Sequence, residues 1–378
     1  MNKFILVATL SPLLTGLVPG MADQGTEGRI PFKKIGHLIV VKAKIDDSRN
    51  DYNFIVDTGG LAMIDKAVVR ELGLKERGPM AKITTLDLSG YRIENVFCVT
   101  TFDFGPMRRM GTPVHGIIGS NLLERYKVTF DFRSSAVVLS TDATALPTPD
   151  GGLFFKFRNH PVNNAPLIKF KVHQKTVEGM IDTGQPYSVV LPFKDYGQYE
   201  TSDLSASIRS KGLMIKWPQT APRHNYLARL KSCEFGDLVI PEALCLFGEL
   251  PPMLSMPLIG TNFLSQFKMI IDYPKDELIL IPYPDAHFEN NRLSLGLNLN
   301  LSEKNEIWVE GIWENSSADK AGIHVGDRIV AFDSKKITPE NLIELMEMMD
   351  DDRISSITLT IRNQEGERTL KLDKTRLF

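Results

Sequence analysis

Asp57 and Asp182 each close an apolar run and each open the same tripeptide, in Asn53-Phe-Ile-Val-Asp57-Thr58-Gly59-Gly60 and Glu178-Gly-Met-Ile-Asp182-Thr183-Gly184-Gln185. One Asp-Thr-Gly reads as a turn, because all three residue types favour turns. Two copies at the same point of a repeated unit make coincidence a poor account. If the two halves fold about an approximate twofold axis, their carboxylates meet on it. Like charges at short range do not both ionise, so such a pair holds one shared proton. The ionised member can then deprotonate a water while the protonated member polarises a carbonyl oxygen. That is general acid–base hydrolysis of an amide, with no metal and no covalent intermediate. Gly59 and Gly184 let the backbone crowd the carboxylates and aim an N–H at them. Thr58 and Thr183 are placed to hydrogen-bond across the axis and tie the loops together.

The repeat that carries these loops is longer than the tripeptides. Gly116-Ile-Ile-Gly119-Ser-Asn121-Leu-Leu-Glu-Arg-Tyr-Lys-Val-Thr-Phe-Asp131-Phe aligns without a gap on Pro257-Leu-Ile-Gly260-Thr-Asn262-Phe-Leu-Ser-Gln-Phe-Lys-Met-Ile-Ile-Asp272-Tyr. Gly90-Tyr-Arg-Ile-Glu-Asn-Val-Phe-Cys98 aligns on Asp237-Leu-Val-Ile-Pro-Glu-Ala-Leu-Cys245. The same elements in the same order predict two similar units, 28–148 and 149–285, each of a common size for one core. Their segments are short, β-branched and partly alternating, as in 37–45 and 167–172, which predicts strands. A helix is predicted over 65–72, closed by Gly73, with short helices starting at Asn121 and Asn262.

These residues carry a resemblance. Asp57-Thr58-Gly59 and Asp182-Thr183-Gly184, each followed by apolar-apolar-Gly (Ile117-Ile118-Gly119 and Leu258-Ile259-Gly260), resemble the pepsin and retropepsin class of aspartic proteases. The small lobes and the Gly-Ser/Thr-Asn runs resemble the bacterial retropepsin-like peptidases in particular, over residues 30–284. The resemblance implies a mainly β, bilobal acid-protease fold and a polypeptide substrate lying extended across the cleft. It makes Asp57 and Asp182 the catalytic pair, with Thr58 and Thr183 as an interlocking grip and Gly59 and Gly184 completing the supporting loops. The family also has a flap, sought here in 76–85. Two positions depart from the family, which has Ala or Ser after each tripeptide where this chain has Gly60 and Gln185. A hydroxyl there would stabilise the ionised aspartate and favour acidic operation; its absence predicts an optimum nearer neutral. The rival reading is a degenerate peptidase fold that captures peptides as a chaperone-like scaffold.

After Tyr283-Pro284 the repeat ends and a third unit, 288–378, begins. It holds Ser294-Leu295-Gly296-Leu297, a strand at 307–312, and Ala321-Gly322-Ile323-His324-Val325-Gly326-Asp327-Arg328-Ile329. Thr338-Pro339 is a good N-cap and first-turn pair for a helix through 349. A closing hairpin at 357–361 and 369–372 turns at Glu365-Gly366. This unit resembles a PDZ domain. The resemblance implies that Leu295, Gly296 and Leu297 form the loop whose N–H groups receive a peptide's C-terminal carboxylate. The peptide would add as a strand beside the helix starting near Pro339. The alternative is a structural PDZ unit packed on the rest of the chain with its groove filled.

Bulk properties frame these readings. A chain of 378 residues predicts two or three domains, and a net charge of -2 offers no basic field for nucleic acid. Lys3, an apolar run over 4–18, then Pro19, Gly20, Met21 and Ala22 have the layout of a secretory signal peptide, residues 1–22, cleaved after Ala22. Against the rival, an N-terminal anchor, the run is shorter than the roughly 20 residues a span needs and contains Pro12 and Gly16. The expectation is an extracytoplasmic protein, periplasmic or secreted, with no membrane span after cleavage. It is expected to be a monomer, since one chain completes the dyad. Cys233 and Cys245 flank a hairpin turn at Gly236-Asp237; they read equally as a cross-strand pair and, with Cys98, as small buried apolar residues. No P-loop, zinc-helix, nucleophile-elbow or calcium-loop pattern occurs, and the seven histidines are scattered, so neither cofactor nor metal is expected. Trp217, Trp308 and Trp313 are expected in cores or lining a groove, and 350–352 as solvated acidic surface.

Overall fold

The computed structural model describes residues 26–378 apart from 103, 106, 108–111, 143, 145–150, 200–202, 216–223 and 251–254. The expected leader, 1–22, and Trp217 lie outside the described residues. The chain is mainly β, and its first two units repeat one pairing scheme. In the first, Tyr52–Asp57 runs antiparallel to Leu38–Ile45 on one side and parallel to Gly116–Gly119 on the other. Met63–Ile64 pairs antiparallel with Gly116–Gly119 and parallel with Tyr91–Val99, which forms a hairpin with Met80–Leu88. In the second, Lys175–Ile181 lies antiparallel to Pro166–Val172 and parallel to Leu258–Ile259. Val189–Pro192 pairs antiparallel with Leu258–Ile259 and parallel with Leu238–Gly248, which forms a hairpin with Tyr226–Phe235.

The strands central to both schemes are buried on both faces, which is why Gly116–Gly119 and Val189–Pro192 read as unbroken apolar or glycine runs. Helix α1, Lys66–Leu72, is capped by Asp65, whose carboxylate accepts the Ala67 N–H, and closed by Gly73 in the left-handed region. The short helices α2, Ser120–Leu123, and α3, Thr261–Leu264, start one residue earlier than expected, because Gly119 and Gly260 take the N-cap position. The units are stitched together where Lys127–Asp131 meets Phe267–Asp272, with Phe130 opposite Met269. A continuous core runs through both, with Phe130, Val128, Met269 and Ile271 at the junction.

The second hairpin turns at Gly236-Asp237, and its register places Cys233 opposite Ile240 and Cys245 opposite Ala228. The two cysteines are not cross-strand partners. All three cysteines are buried free thiols, and burial pushes Cys98 and Cys233 up to about 12. That overturns the disulfide alternative.

The third unit has its own core, built on Leu295, Val309, Ile329, Phe332, Leu345 and Leu359. Its strand Ile307–Trp313 pairs with Leu297–Leu301 along one edge and with Arg328–Phe332 at the start of the other. The rest of that second edge pairs with Leu204–Gly212 of the second unit, Gly212 opposite Gly311, so the two units share one sheet. Thr338 makes a capping box with Asn341 over a 3₁₀ turn, Pro339–Asn341, that leads into α5, Leu342–Asp350, preceded in this unit by the short α4, Ser317–Lys320. The closing hairpin, Ser356–Asn363 with Gly366–Asp373, turns on 364–365, one residue before the expected position. Asp350 is exposed, as expected, and its carboxylate also pairs with Arg292 at 2.8 Å. Among the described residues no helix is long and apolar enough to cross a membrane.

Candidate active site

Asp57 ends its strand beside Gly119, and Asp182 follows its strand with its N–H on the Ile259 carbonyl at 2.9 Å. The loops that follow interlock. The Thr58 N–H donates to Thr183 Oγ1 at 3.0 Å and the Thr183 N–H to Thr58 Oγ1 at 3.1 Å. Each hydroxyl then donates into the opposite strand, Thr58 to the Ile181 carbonyl at 2.8 Å and Thr183 to the Val56 carbonyl at 2.9 Å. Both threonines are wholly buried. Four reciprocal bonds thus impose a local twofold relation on the two loops.

That relation brings the carboxyls together. Gly59 N–H donates to Asp57 Oδ1 at 2.8 Å and Gly184 N–H to Asp182 Oδ1 at 2.9 Å. Each glycine also lies against the other unit's carboxyl. A Cβ on Gly59 would sit 2.4 Å from Asp182 Cγ, and one on Gly184 would sit 2.7 Å from Asp57 Cγ. No side chain fits at either position. The two carboxyls are close enough to act on each other's proton affinity.

Burial raises the Asp57 carboxyl. It is opposed by the Gly59 amide, by the bond from Asp182, and by the amides of Gly60 and Gly184. Asp182 is held well above the usual carboxylate range by burial first, then by the Asp57 charge and the bond between them. Both carboxyls are thus held above their ordinary value, as expected of a buried like-charge pair that retains one shared proton. Gln185 turns to its own backbone, its Oε1 accepting the Tyr187 N–H at 3.1 Å. A Cβ at Gly60 would fall 2.7 Å from Asp57 Oδ2.

Four further residues brace the loops. Ser120 Oγ donates to the Thr58 carbonyl at 2.6 Å and Thr261 Oγ1 to the Thr183 carbonyl at 3.0 Å. Both follow the repeated Ile-Gly, so the alignment of the halves contained that signal. Asn163 Nδ2 donates to the Gly59 carbonyl at 2.5 Å, and His37 Nε2 lies 3.1 Å from the Gly184 carbonyl. Each of these reaches over from the opposite unit, and only folding reveals it. Burial lowers His37 to about 4, against the Gly184 carbonyl and the Asp350 charge, which raise it; Arg292 lowers it further.

Side chains alternate along a strand, so Ile55 shares the face of Asp57 and Met180 that of Asp182. Ile55 pairs with Ile117, and Met180 with Leu258. Each pair belongs to a buried apolar cluster, and the third unit contributes to both. Ile343 of α5 packs on the first, and Trp313 is part of the second. The stretch 76–85 falls in a hairpin, Lys75–Arg77 with Met80–Leu88, whose first strand is fully exposed.

In the third unit, Leu295 is buried and Gly296 has φ 84°. The Gly296 N–H donates to Ser294 Oγ at 2.9 Å, and its carbonyl accepts the Trp313 N–H at 2.9 Å. A Cβ at Gly296 would meet Ser316 Oγ at 2.2 Å. Leu297 opens the strand whose second edge carries no other strand among the described residues. Residues 308–363 match the PDZ domain family, which makes this part of the chain a PDZ domain. The Leu295–Leu297 loop lies ahead of the matched stretch. No curated protein matches the chain.

Proposed function

We propose that this chain is an exported, retropepsin-like aspartic endopeptidase with Asp57 as base and Asp182 as acid. One observation supports the reading: two equivalent buried carboxyls, on loops locked by reciprocal threonine bonds, are both raised above the ordinary carboxylate value. A water between them gives a proton to Asp57 as its oxygen attacks the scissile carbonyl carbon, and Asp182 gives its proton to the carbonyl oxygen. The tetrahedral diol then collapses. Its C–N bond breaks, the amine leaves with the proton from Asp57, and a diol hydroxyl returns a proton to Asp182. The dyad ends as it began, so neither metal nor cofactor enters the cycle. Export rests on the leader-like residues 1–22.

Hydrolysis of an unfolded protein by the wild type and by Asp57→Asn tests this. Cleavage is expected from the wild type, with at least a thousandfold loss in the variant. A second reading, a peptide-binding scaffold, draws support from the PDZ domain, whose fold suits peptide capture. It prevails if neither protein cuts and both bind peptide equally.

A further inference from the structure

The apolar cluster on the Asp182 side has an occupant from the same chain. Thr375–Arg376 forms a short strand against Leu293–Ser294. Leu377 and Phe378 follow it and pack on the cluster that contains Met180, Tyr187, Leu227 and Leu258. Asn291 holds their backbone: its Oδ1 accepts the N–H of Leu377 at 3.1 Å and of Phe378 at 3.2 Å, and its Nδ2 donates to the Phe378 carbonyl at 2.6 Å. The Arg229 guanidinium lies 4.9 Å from the centre of the Phe378 ring. These partners recognise an extended backbone and an aromatic ring, a pattern that a second peptide could satisfy equally well.

The occupied place is lined by residues that flank Asp182 along the chain. Met180 stands two residues before Asp182 on the same face, and Tyr187 three residues after Gly184. Arg292, whose carbonyl also accepts the Leu377 N–H at 3.2 Å, lies over the Tyr187 ring at 5.6 Å. With the segment in place, Met180 is 0% exposed, Leu258 2% and Tyr187 8%. An extended peptide reaching this wall has to take the place of the segment.

We propose that Asn291, Arg229 and the Met180–Leu258 wall form a seat for an extended peptide bearing a large aliphatic residue followed by an aromatic one. The chain's own residues 375–378 fill it, and an incoming peptide displaces them. That the displacing peptide is a substrate rests on the peptidase reading; the seat does not.

The test uses the full chain, a Leu377→Ala/Phe378→Ala variant and the milder Phe378→Ala, which keeps the bonds to Asn291. The probe is a fluorophore-labelled, C-terminally amidated Lys-Thr-Arg-Leu-Phe peptide followed by anisotropy. The double variant is expected to bind it at least about tenfold more tightly than wild type, with Phe378→Ala in between. The same peptide with alanine for phenylalanine should not bind. Equal binding by wild type and variants, or equal binding of the alanine peptide, overturns the seat. A variant that binds the peptide but cleaves no unfolded protein leaves the seat standing and removes the peptidase reading. A variant that cleaves faster without binding the peptide does the reverse.

Discussion

The His37 ring reaches from the first unit to the second and sits 3.1 Å from the carbonyl oxygen of Gly184, in the loop that carries Asp182. Asn163 makes the matching contact to Gly59 from the other side. Each carboxyl-bearing loop is therefore held by a turn from the opposite unit, and the first unit uses a titratable group to do it.

Burial lowers His37 from 6.5 to about 4, so the folded state resists protonating it while the unfolded chain does not. The unfolded state then binds more protons between those values. Stability is full above about pH 6.5 and is lost as pH falls through about 4. His37→Gln keeps an N–H for the Gly184 carbonyl and does not titrate. Wild type should lose on the order of 2–3 kcal/mol more than this variant between pH 7 and pH 4. Urea melts at a series of pH values measure it; parallel curves for the two proteins would remove His37 as the cause.

The acid pair has the opposite sign. Asp182 is raised well above the usual range, so above about pH 4, the ordinary carboxyl value, the folded state binds more protons than the unfolded one. Its burden is absent below that value and grows as pH rises toward the raised one. Asp182→Asn keeps an oxygen for the Gly184 N–H and carries no charge. Its Tm at pH 7.5 should exceed that of wild type by at least about 2 °C, the shift ~1 kcal/mol gives in domains of a few hundred residues, and the gap should close below about pH 4. Identical melting at pH 7.5 contradicts the assignment of the proton. For the same reason hydrolysis should peak above about pH 4, in keeping with a Gly60 and a Gln185 that bring no hydroxyl to either carboxylate.

Much of this was legible where local chemistry and the internal repeat agreed. Asp65 and Gly73 bracket α1 because capping is decided within a few residues. Thr58 and Thr183 were legible as partners because a repeat supplies the symmetry that their neighbours cannot. The cysteine pairing failed on arithmetic that the sequence did contain: counting outward from a two-residue turn at 236–237 opposes Cys233 to Ile240. His37 and Asn163 were not legible, since each is a turn residue whose partner lies more than a hundred positions away. The Asp350 ion pair was not legible either, since its partner Arg292 stands outside its helix.

The sheet shared by the second and third units depends on two glycines that face each other, Gly212 and Gly311. A Cβ on Gly311 would come within 2.2 Å of the Leu213 carbonyl oxygen, which also accepts from Asn298 Nδ2 at 2.8 Å. Backbone cannot yield there as a flexible side chain could. Gly311→Ala should therefore part Leu204–Gly212 from Ile307–Trp313 at a cost of roughly 1–3 kcal/mol. The third unit's own core does not depend on that junction and should persist. Hydrogen exchange separates the two effects. The Leu213 N–H, bonded to the Glu310 carbonyl, and the Glu314 N–H, bonded to the Arg209 carbonyl, should lose protection. Amides of the Ser356–Asn363 and Gly366–Asp373 hairpin should keep theirs. Unchanged protection at Leu213 and Glu314 would mean that the junction tolerates a side chain and that something other than close backbone approach holds the PDZ domain in place.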